Sequence, residues 1–501
     1  MKKIIVLCAA VLWVASALVA QQCLPLETAY KIKREAFQRS KMEELAQWMT
    51  DFLGPRLVGS KQSVRAEKLT KEKLEELGLS NARIEFAMDF PKGGWDNVKT
   101  YAAMTAPYYC NFPANPKAWS GSTAGLVKGE VVYINVRKPA DVQKYKGKLN
   151  GKIVLMPVYK DYQLSFEPDA TRYTEEELEA LTQASGPRSR RGMPQLTTRG
   201  TDLLALVREM LKGEKPAVLV WGAGNFNVPH SLGASYRYGN PEPVAEVVLP
   251  VEAHGRMVRL VSKGIPVSME IDIQNEFSKN LVVNNVIAEI PGTDPQLKNE
   301  IILIGGHLDS WHGGTGAADN ASGCLVMMEA LRILKVLGFQ PRRTIRVALW
   351  GGEEQGMLGS RGYAQNHLYD SRTRKKKEGF DRFALYLNMD NGSGRFRGIY
   401  LQENDMAAPF FQTWMKPVEA LGFTTLSPQN TYGTDHGSFD RFGLPSFQFI
   451  QDELNYHIGY HRPTDTYERL EMDDLKYNAA LIAWFALNAA MDDSRIPAKP
   501  L

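Results

Sequence analysis

Residues 301–319 read IILIGGHLDSWHGGTGAAD, an apolar run that stops abruptly on His307 and Asp309 before a glycine-rich loop ending in Asp319. A run of β-formers, a turn and then helical spacing over 321–337 predict a buried strand feeding a helix. The same arrangement recurs downstream. Residues 343–352 read RTIRVALWGG and deliver Glu353 and Glu354, and residues 384–388 read ALYLN and lead through Met389 to Asp390. Strands are also expected at 281–290 and 445–450, with a helix near 357–367. Such alternation predicts an α/β fold with a mostly parallel central sheet flanked by helices. In open parallel sheets, ligands bind outside the carboxyl ends of the strands. Three strands that end in acidic or histidine residues therefore predict one pocket.

The residue types in that pocket point to a metal. Zinc favours imidazole nitrogen and carboxylate oxygen, and a catalytic site keeps a position open for water. Two ions about 3.5–4 Å apart need a bridging carboxylate and terminal ligands on each side. His307, Asp319, Glu354, Asp390 and His461 supply such a set, and Glu353 stays free to act as a base. Any one of them alone would be read as a cap or a satisfied surface group. His461 is preferred to His457 because of its HRPTDT context. His436, in TDHGSF, is read equally as lining a pocket or as structural. His230, His254, His312 and His367 are read as ordinary.

Further out, the chain has 501 residues, 44% apolar and 23% charged, with a formal net charge of +4. That near balance excludes a general nucleic-acid binder, which carries a concentrated basic excess. The basic runs 188–191 and 374–377 sit among loop residues and are read as solvated. Residues 1–20 form an expected signal peptide: Lys2 and Lys3, an apolar run, then Ala20 before Gln21. Export to the periplasm or the extracellular space follows, with no stable membrane insertion after cleavage. Residues 21–90, with helical spacing over 27–54 and 61–77, open the main domain. Residues 91–275 change texture, with short β-like runs at 129–134 and 152–157 and a helix near 200–211. They are expected to form an inserted, mainly β domain, its stretch 186–199 an exposed loop. The main domain resumes over 276–495 with a final amphipathic helix, Asp473–Met491, and 496–501 form a tail. After signal removal Cys23, Cys110 and Cys324 allow at most one internal disulfide, and no spacing marks a thiolate zinc site.

The stretches GGHLDSW (305–311), GTGAADNASG (314–323), LWGGEEQGMLGS (349–360), NMD (388–390), TDHGSF (434–439) and YHRPTDT (460–466) together resemble the co-catalytic zinc aminopeptidase family. The likeness is strongest to its plasma glutamate carboxypeptidase branch. The family's spacing of 12 residues from His307 to Asp319 and of 34 from Asp319 to Glu353 is reproduced. The resemblance implies a zinc-exopeptidase fold with a protease-associated-like insert over 91–275. It implies two zinc ions per chain, His307 and Asp390 on one, Glu354 and His461 on the other, Asp319 bridging. Glu353 would be the general base, Asp309 would accept a hydrogen bond from the far nitrogen of His307, and Tyr460 would stabilise an oxyanion. The expected partner is a peptide substrate, and homo-oligomerisation stays open. The sequence does not decide which peptide terminus is read. Two rivals remain: a single-zinc glutaminyl cyclase, which needs fewer ligands, and a non-catalytic binding protein on the same fold.

Overall fold

The computed structural model describes residues 23–157, 164, 166–184 and 198–500, arranged around two eight-stranded sheets. The expected leader at 1–20 and most of the 186–199 stretch lie outside the described residues. In the first sheet the strand order is Ser80–Asp89, Val282–Ile290, Thr344–Trp350, Ile301–His307, Phe383–Asn388, Ser446–Gln451, Phe396–Tyr400 and Thr425–Ser427. The four strands from Thr344–Trp350 to Ser446–Gln451 are parallel, whereas Val282–Ile290 and Phe396–Tyr400 run antiparallel to their inner neighbours. The sheet is thus mixed around a parallel centre. The chain has only 389–395 between two of its strands, too short for a crossover helix, so Phe396–Tyr400 must run back.

Register sets the site. His307 pairs with Trp350 and Gly305 with Asn388, so two parallel strands finish level and the third two residues short of them. Residues that follow those ends leave the sheet together. The helix Ser322–Val336 begins there and is buried from Ser322 to Leu334.

The final helix, Met472–Met491, departs from the expected amphipathic pattern, being buried at every position from Tyr477 to Ala490. It packs against the helices Leu26–Gln38 and Ser322–Val336 and so lies inside the core. Helical spacing over 27–54 becomes three pieces, Leu26–Gln38, Met42–Gln47 and Trp48–Leu53. The break has a partner: the buried Glu329 carboxylate accepts from the Ser40 hydroxyl (3.0 Å) and the Lys41 N–H (3.1 Å).

The second sheet is built from residues 94–278, in the order Cys110–Asn111, Gly94–Ala106, Ser268–Ser278, Val127–Tyr133, Ile153–Leu155, Val218–Gly222, Ala245–Leu249 and Asn115–Pro116. Its apolar core includes Met104, Leu155, Val220, Val247, Met269 and Ile271. Besides strands it carries the helices Thr198–Leu211 and Val251–Ser262, whereas Glu175–Gln183 packs on the first sheet, its Leu178 against Tyr400 and Ile450. Residues 375–376 of the basic run pair with Tyr369–Asp370 as an exposed ribbon. Cys23, Cys110 and Cys324 are free thiols. Among the described residues no helix is long and apolar enough to cross a membrane.

Candidate metal centre

Beyond these strand ends, each functional side chain is placed by its own turn. After Trp350 the chain passes Gly351, where a Cβ would lie 2.3 Å from the Asn284 carbonyl oxygen, and Gly352, whose φ of +65° favours a residue without a side chain. That tight turn sets Glu353 and Glu354 over the edge of the sheet. The Asp309 carboxylate accepts their backbone N–H groups, at 3.0 Å from Glu353 and 3.3 Å from Glu354.

Asp309 also faces His307, through both its carbonyl and its carboxylate. Nδ1 of His307 lies 2.9 Å from the Asp309 carbonyl oxygen and 3.6 Å from its carboxylate Oδ1. The carbonyl fixes the tautomer, leaving Nε2 to face the pocket, while the carboxylate orders the Glu353–Glu354 turn.

Asp319 stands between two imidazoles. Its Oδ1 is 3.2 Å from Nε2 of His307, and its Oδ2 is 3.3 Å from Nε2 of His461. Asp390 Oδ1 approaches His307 Nε2 at 3.3 Å, and Glu354 Oε2 approaches His461 Nε2 at 2.8 Å. Two groups able to hold a metal ion result: His307, Glu353 and Asp390, and Asp319, Glu354 and His461, each with ligand atoms within 4.8 Å of one another. Asp319 Oδ2 and Glu354 Oε1 are buried without a hydrogen-bond donor. Orphaned carboxylate oxygens facing imidazole nitrogens are what a cation would satisfy, so the donor set fits zinc.

Electrostatics agree. Burial opposes charge on His461, but Glu354 and Asp319 outweigh it and push the imidazole up to about 10. His307 is likewise raised against burial by Asp390, Asp309 and Asp319. Burial, then the charge of Asp319, lifts Glu354 to about 7, against the pull of His461. Glu353 is raised well above the usual range by burial and by Asp390, Asp435 and Glu354, with His307 opposing. The pocket thus holds more negative charge than two imidazolium groups neutralise, a field that suits dications.

The loop bearing Asp319 is held from two sides that sequence reasoning missed. Asp465 accepts the N–H groups of Ala318 (2.7 Å) and Asp319 (3.0 Å). The buried Arg56 guanidinium donates to the carbonyls of Leu308, Gly54, Thr315 and Gly316 at 2.6–2.9 Å. Asn320 ties the same loop to the neighbouring strand end, donating to the Met389 carbonyl at 2.8 Å.

Tyr460 stacks on His461 with ring centroids 3.6 Å apart. His461 itself has φ +54°, and its carbonyl accepts the Ser231 N–H at 2.7 Å, a bond from the second lobe. His230, read as ordinary, packs edge-on against His461 at 5.9 Å. Burial, with the charges of His461 and Arg462 behind it, pushes His230 down to about 4. His457 is exposed and faces Glu453. His436 is buried, its Nε2 3.0 Å from the Thr431 carbonyl oxygen. His312 bonds to the Pro116 carbonyl, and His367 pairs with Glu85. Cys324 is a buried thiol, raised to about 12 by burial, whose Sγ lies 3.1 Å from the His307 carbonyl oxygen.

Residues 285–486, which carry every residue of the two groups, match the sequence profile of Peptidase family M28. The chain carries a Peptidase family M28 domain. It is 25% identical to carboxypeptidase Q of Mus musculus over 482 residues, 96% of this chain and 90% of that one. Over 174 residues it is 32% identical to leupeptin-inactivating enzyme 1 of Streptomyces exfoliatus, covering 34% of this chain and 37% of that one. In fold it is similar to a Peptidase M28 precursor from Shewanella amazonensis, with a TM-score of 0.68 at 22% identity, covering 95% and 99% of the two chains. A zinc aminopeptidase from Bacillus subtilis follows, with a TM-score of 0.56 at 18% identity, covering 94% and 97%. The chain is a metallopeptidase of the exopeptidase kind.

Proposed function

We propose that the protein is an exported two-zinc exopeptidase that hydrolyses terminal peptide bonds of dipeptides or short peptides. One observation carries the reading: the two oxygens of Asp319 face two different imidazoles, and each imidazole faces a further carboxylate. His307 and Asp390 would hold one ion and Glu354 and His461 the other, with Asp319 between them. Zinc held there supplies a Lewis acid for the scissile carbonyl and makes water nucleophilic near neutral pH.

The chain's own residues do the rest. Glu353, raised by burial and neighbouring acids, takes the proton from the attacking water and returns it to the departing amine. Asp309 orients it through the N–H groups of Glu353 and Glu354. Tyr460, which stacks on His461, donates its hydroxyl to the developing oxyanion. Residues 91–275 form an inserted domain that shades the site, since Ser231 and His230 reach His461 from that side. The leader over 1–20 supports export.

The test is elemental analysis of protein prepared without chelator, combined with a panel of dipeptides and blocked peptides. Two zinc equivalents with cleavage of terminal bonds are expected. Full activity at one equivalent, or none at two, would overturn the reading.

A further inference from the structure

Outside the two metal groups, three arginines crowd around two buried aspartates. Arg172 donates through Nη1 to Asp452 Oδ2 at 2.8 Å and to Asp474 Oδ2 at 2.6 Å. Arg395 donates through Nε to Asp474 Oδ1 at 3.1 Å, and Arg397 Nη1 lies 3.4 Å from Asp452 Oδ1. The Tyr173 N–H adds a bond to the same Asp452 oxygen at 3.0 Å. The two carboxylates are 1% and 3% exposed, whereas Arg172 and Arg395 are 45% and 39% exposed. Two shared carboxylates thus tie three cations into one cluster and leave one positive charge over. Glu175 touches Arg397 at 3.0 Å, but it is 83% exposed and water screens its charge.

A cavity of about 360 Å³ opens among these side chains, with Leu421 and Gly422 completing its wall. Nothing stands within 4 Å of where a Cβ on Gly422 would lie, so the space beside it is open. The Tyr477 ring lies under the Arg395 guanidinium, 4.6 Å from its carbon, and the Tyr477 hydroxyl donates to the Leu421 carbonyl at 3.0 Å. Among the described residues, both Nη atoms of Arg395 and the Nε and Nη2 of Arg172 bond to no protein acceptor. The cluster also joins separate stretches of chain. Thr171 and Leu454 exchange backbone bonds of 3.1 and 2.8 Å, and the Asp452 N–H bonds to the Arg395 carbonyl at 2.9 Å.

We propose that Arg172, Arg395 and Arg397 form a binding site for a small phosphate-bearing anion, which fastens the 171–183 segment to the first sheet. Guanidinium forks match the oxygens of a phosphate, and the surplus positive charge favours a dianion over a carboxylate. Asp452 and Asp474 do not compete for the free donors, because all four of their oxygens already accept within the cluster. The site uses no residue of the metal groups and stands apart from the exopeptidase reading.

The experiment is calorimetric titration of the zinc-loaded protein with inorganic phosphate at pH 8, with ionic strength held by chloride. Phosphate is also a ligand for zinc, so the same titration is run on Arg395→Gln. That variant should bind phosphate at least about tenfold more weakly, the worth of one charge-assisted hydrogen bond, with its zinc content unchanged. Arg395→Lys should recover part of the loss. The unmodified protein should prefer phosphate to acetate at least about fivefold, the worth of one further charge at about 4 Å in water. Amide exchange over 171–183 should slow when phosphate is added. Equal phosphate affinity in Arg395→Gln assigns the anion to the metal centre and overturns the proposal. Acetate that binds as tightly, or binding that chloride reproduces, overturns it too. Should Arg395→Gln not fold, the unmodified protein decides: an exchange rate over 171–183 that phosphate leaves unchanged refutes the site.

Discussion

Asp465→Asn isolates the support of the bridging ligand from the ligand itself. One Asp465 oxygen accepts the Ala318 N–H at 2.7 Å and the other the Asp319 N–H at 3.0 Å, inside a buried loop. An asparagine keeps one acceptor and turns an NH2 group toward the other N–H. One hydrogen bond to a charged acceptor is lost, about 1.5–3 kcal/mol. That corresponds to about 10- to 150-fold on any equilibrium requiring the loop in place. The range overlaps the ~10–100-fold loss of metal affinity usual when a supporting partner is removed. Zinc titration against a competing chelator reads the effect directly, with the Tm of the metal-free protein as companion. Zinc affinity should weaken by at least tenfold while all five ligands remain. A Kd within about twofold, with an unchanged Tm, would show that the Asp465 carboxylate does not order the 315–319 loop.

Three further outcomes follow from the same geometry. Glu353→Gln should keep zinc while turnover falls at least ~10²–10⁴-fold, whereas Glu354→Ala should lose metal first; zinc analysis beside kcat would reveal reversed roles. His254 is pushed down to about 4 by burial, below its unfolded value of about 6.5. The unfolded chain therefore takes the proton first, and stability is lost as pH falls from about 6.5 to 4, by up to about 3 kcal/mol. His254→Leu should show a flatter Tm profile over that window, and parallel profiles would contradict the assignment. If the second lobe restricts entry, dipeptides should be cleaved at least ~10²-fold faster than folded proteins, and comparable rates in a protease assay would end the gating idea.

His307, Glu353, Glu354 and Asp390 were legible because each sits at or just beyond an apolar strand's end, a local pattern, and Asp319 because it closes the glycine-rich loop after His307. His461 was legible from the HRPTDT stretch around it. Their supports were not, because they act across the chain. Arg56 reaches Thr315 across 259 positions, and Asp465 reaches Asp319 across 146. No periodicity records such a contact. His230 carried no signal, since its meaning comes from a lobe that packs on the metal centre only after folding. The direction of the outer strands was similarly hidden, as β-formers alternate identically in either sense. The helix Met472–Met491 was misread because Asp473, Asp474 and Lys476 suggest a wet face. Yet Asp474 is buried, accepting from Arg172 and Arg395, and the remainder is enclosed. The resemblance put the Asp309 carboxylate beside His307, where it lies 3.6 Å from Nδ1, but carried no trace of the carbonyl contact at 2.9 Å.

The bond from Ser231 to the His461 carbonyl has a thermodynamic meaning beyond geometry. His461 is held in a left-handed backbone conformation that an L-residue adopts at a cost, and the second lobe supplies the donor that offsets it. Ion affinity and lobe docking therefore share one coupling free energy, and by reciprocity each strengthens the other equally. Chelation should loosen amide-exchange protection around 223–231, far along the chain from any ligand, and shearing the lobes apart should release the ion.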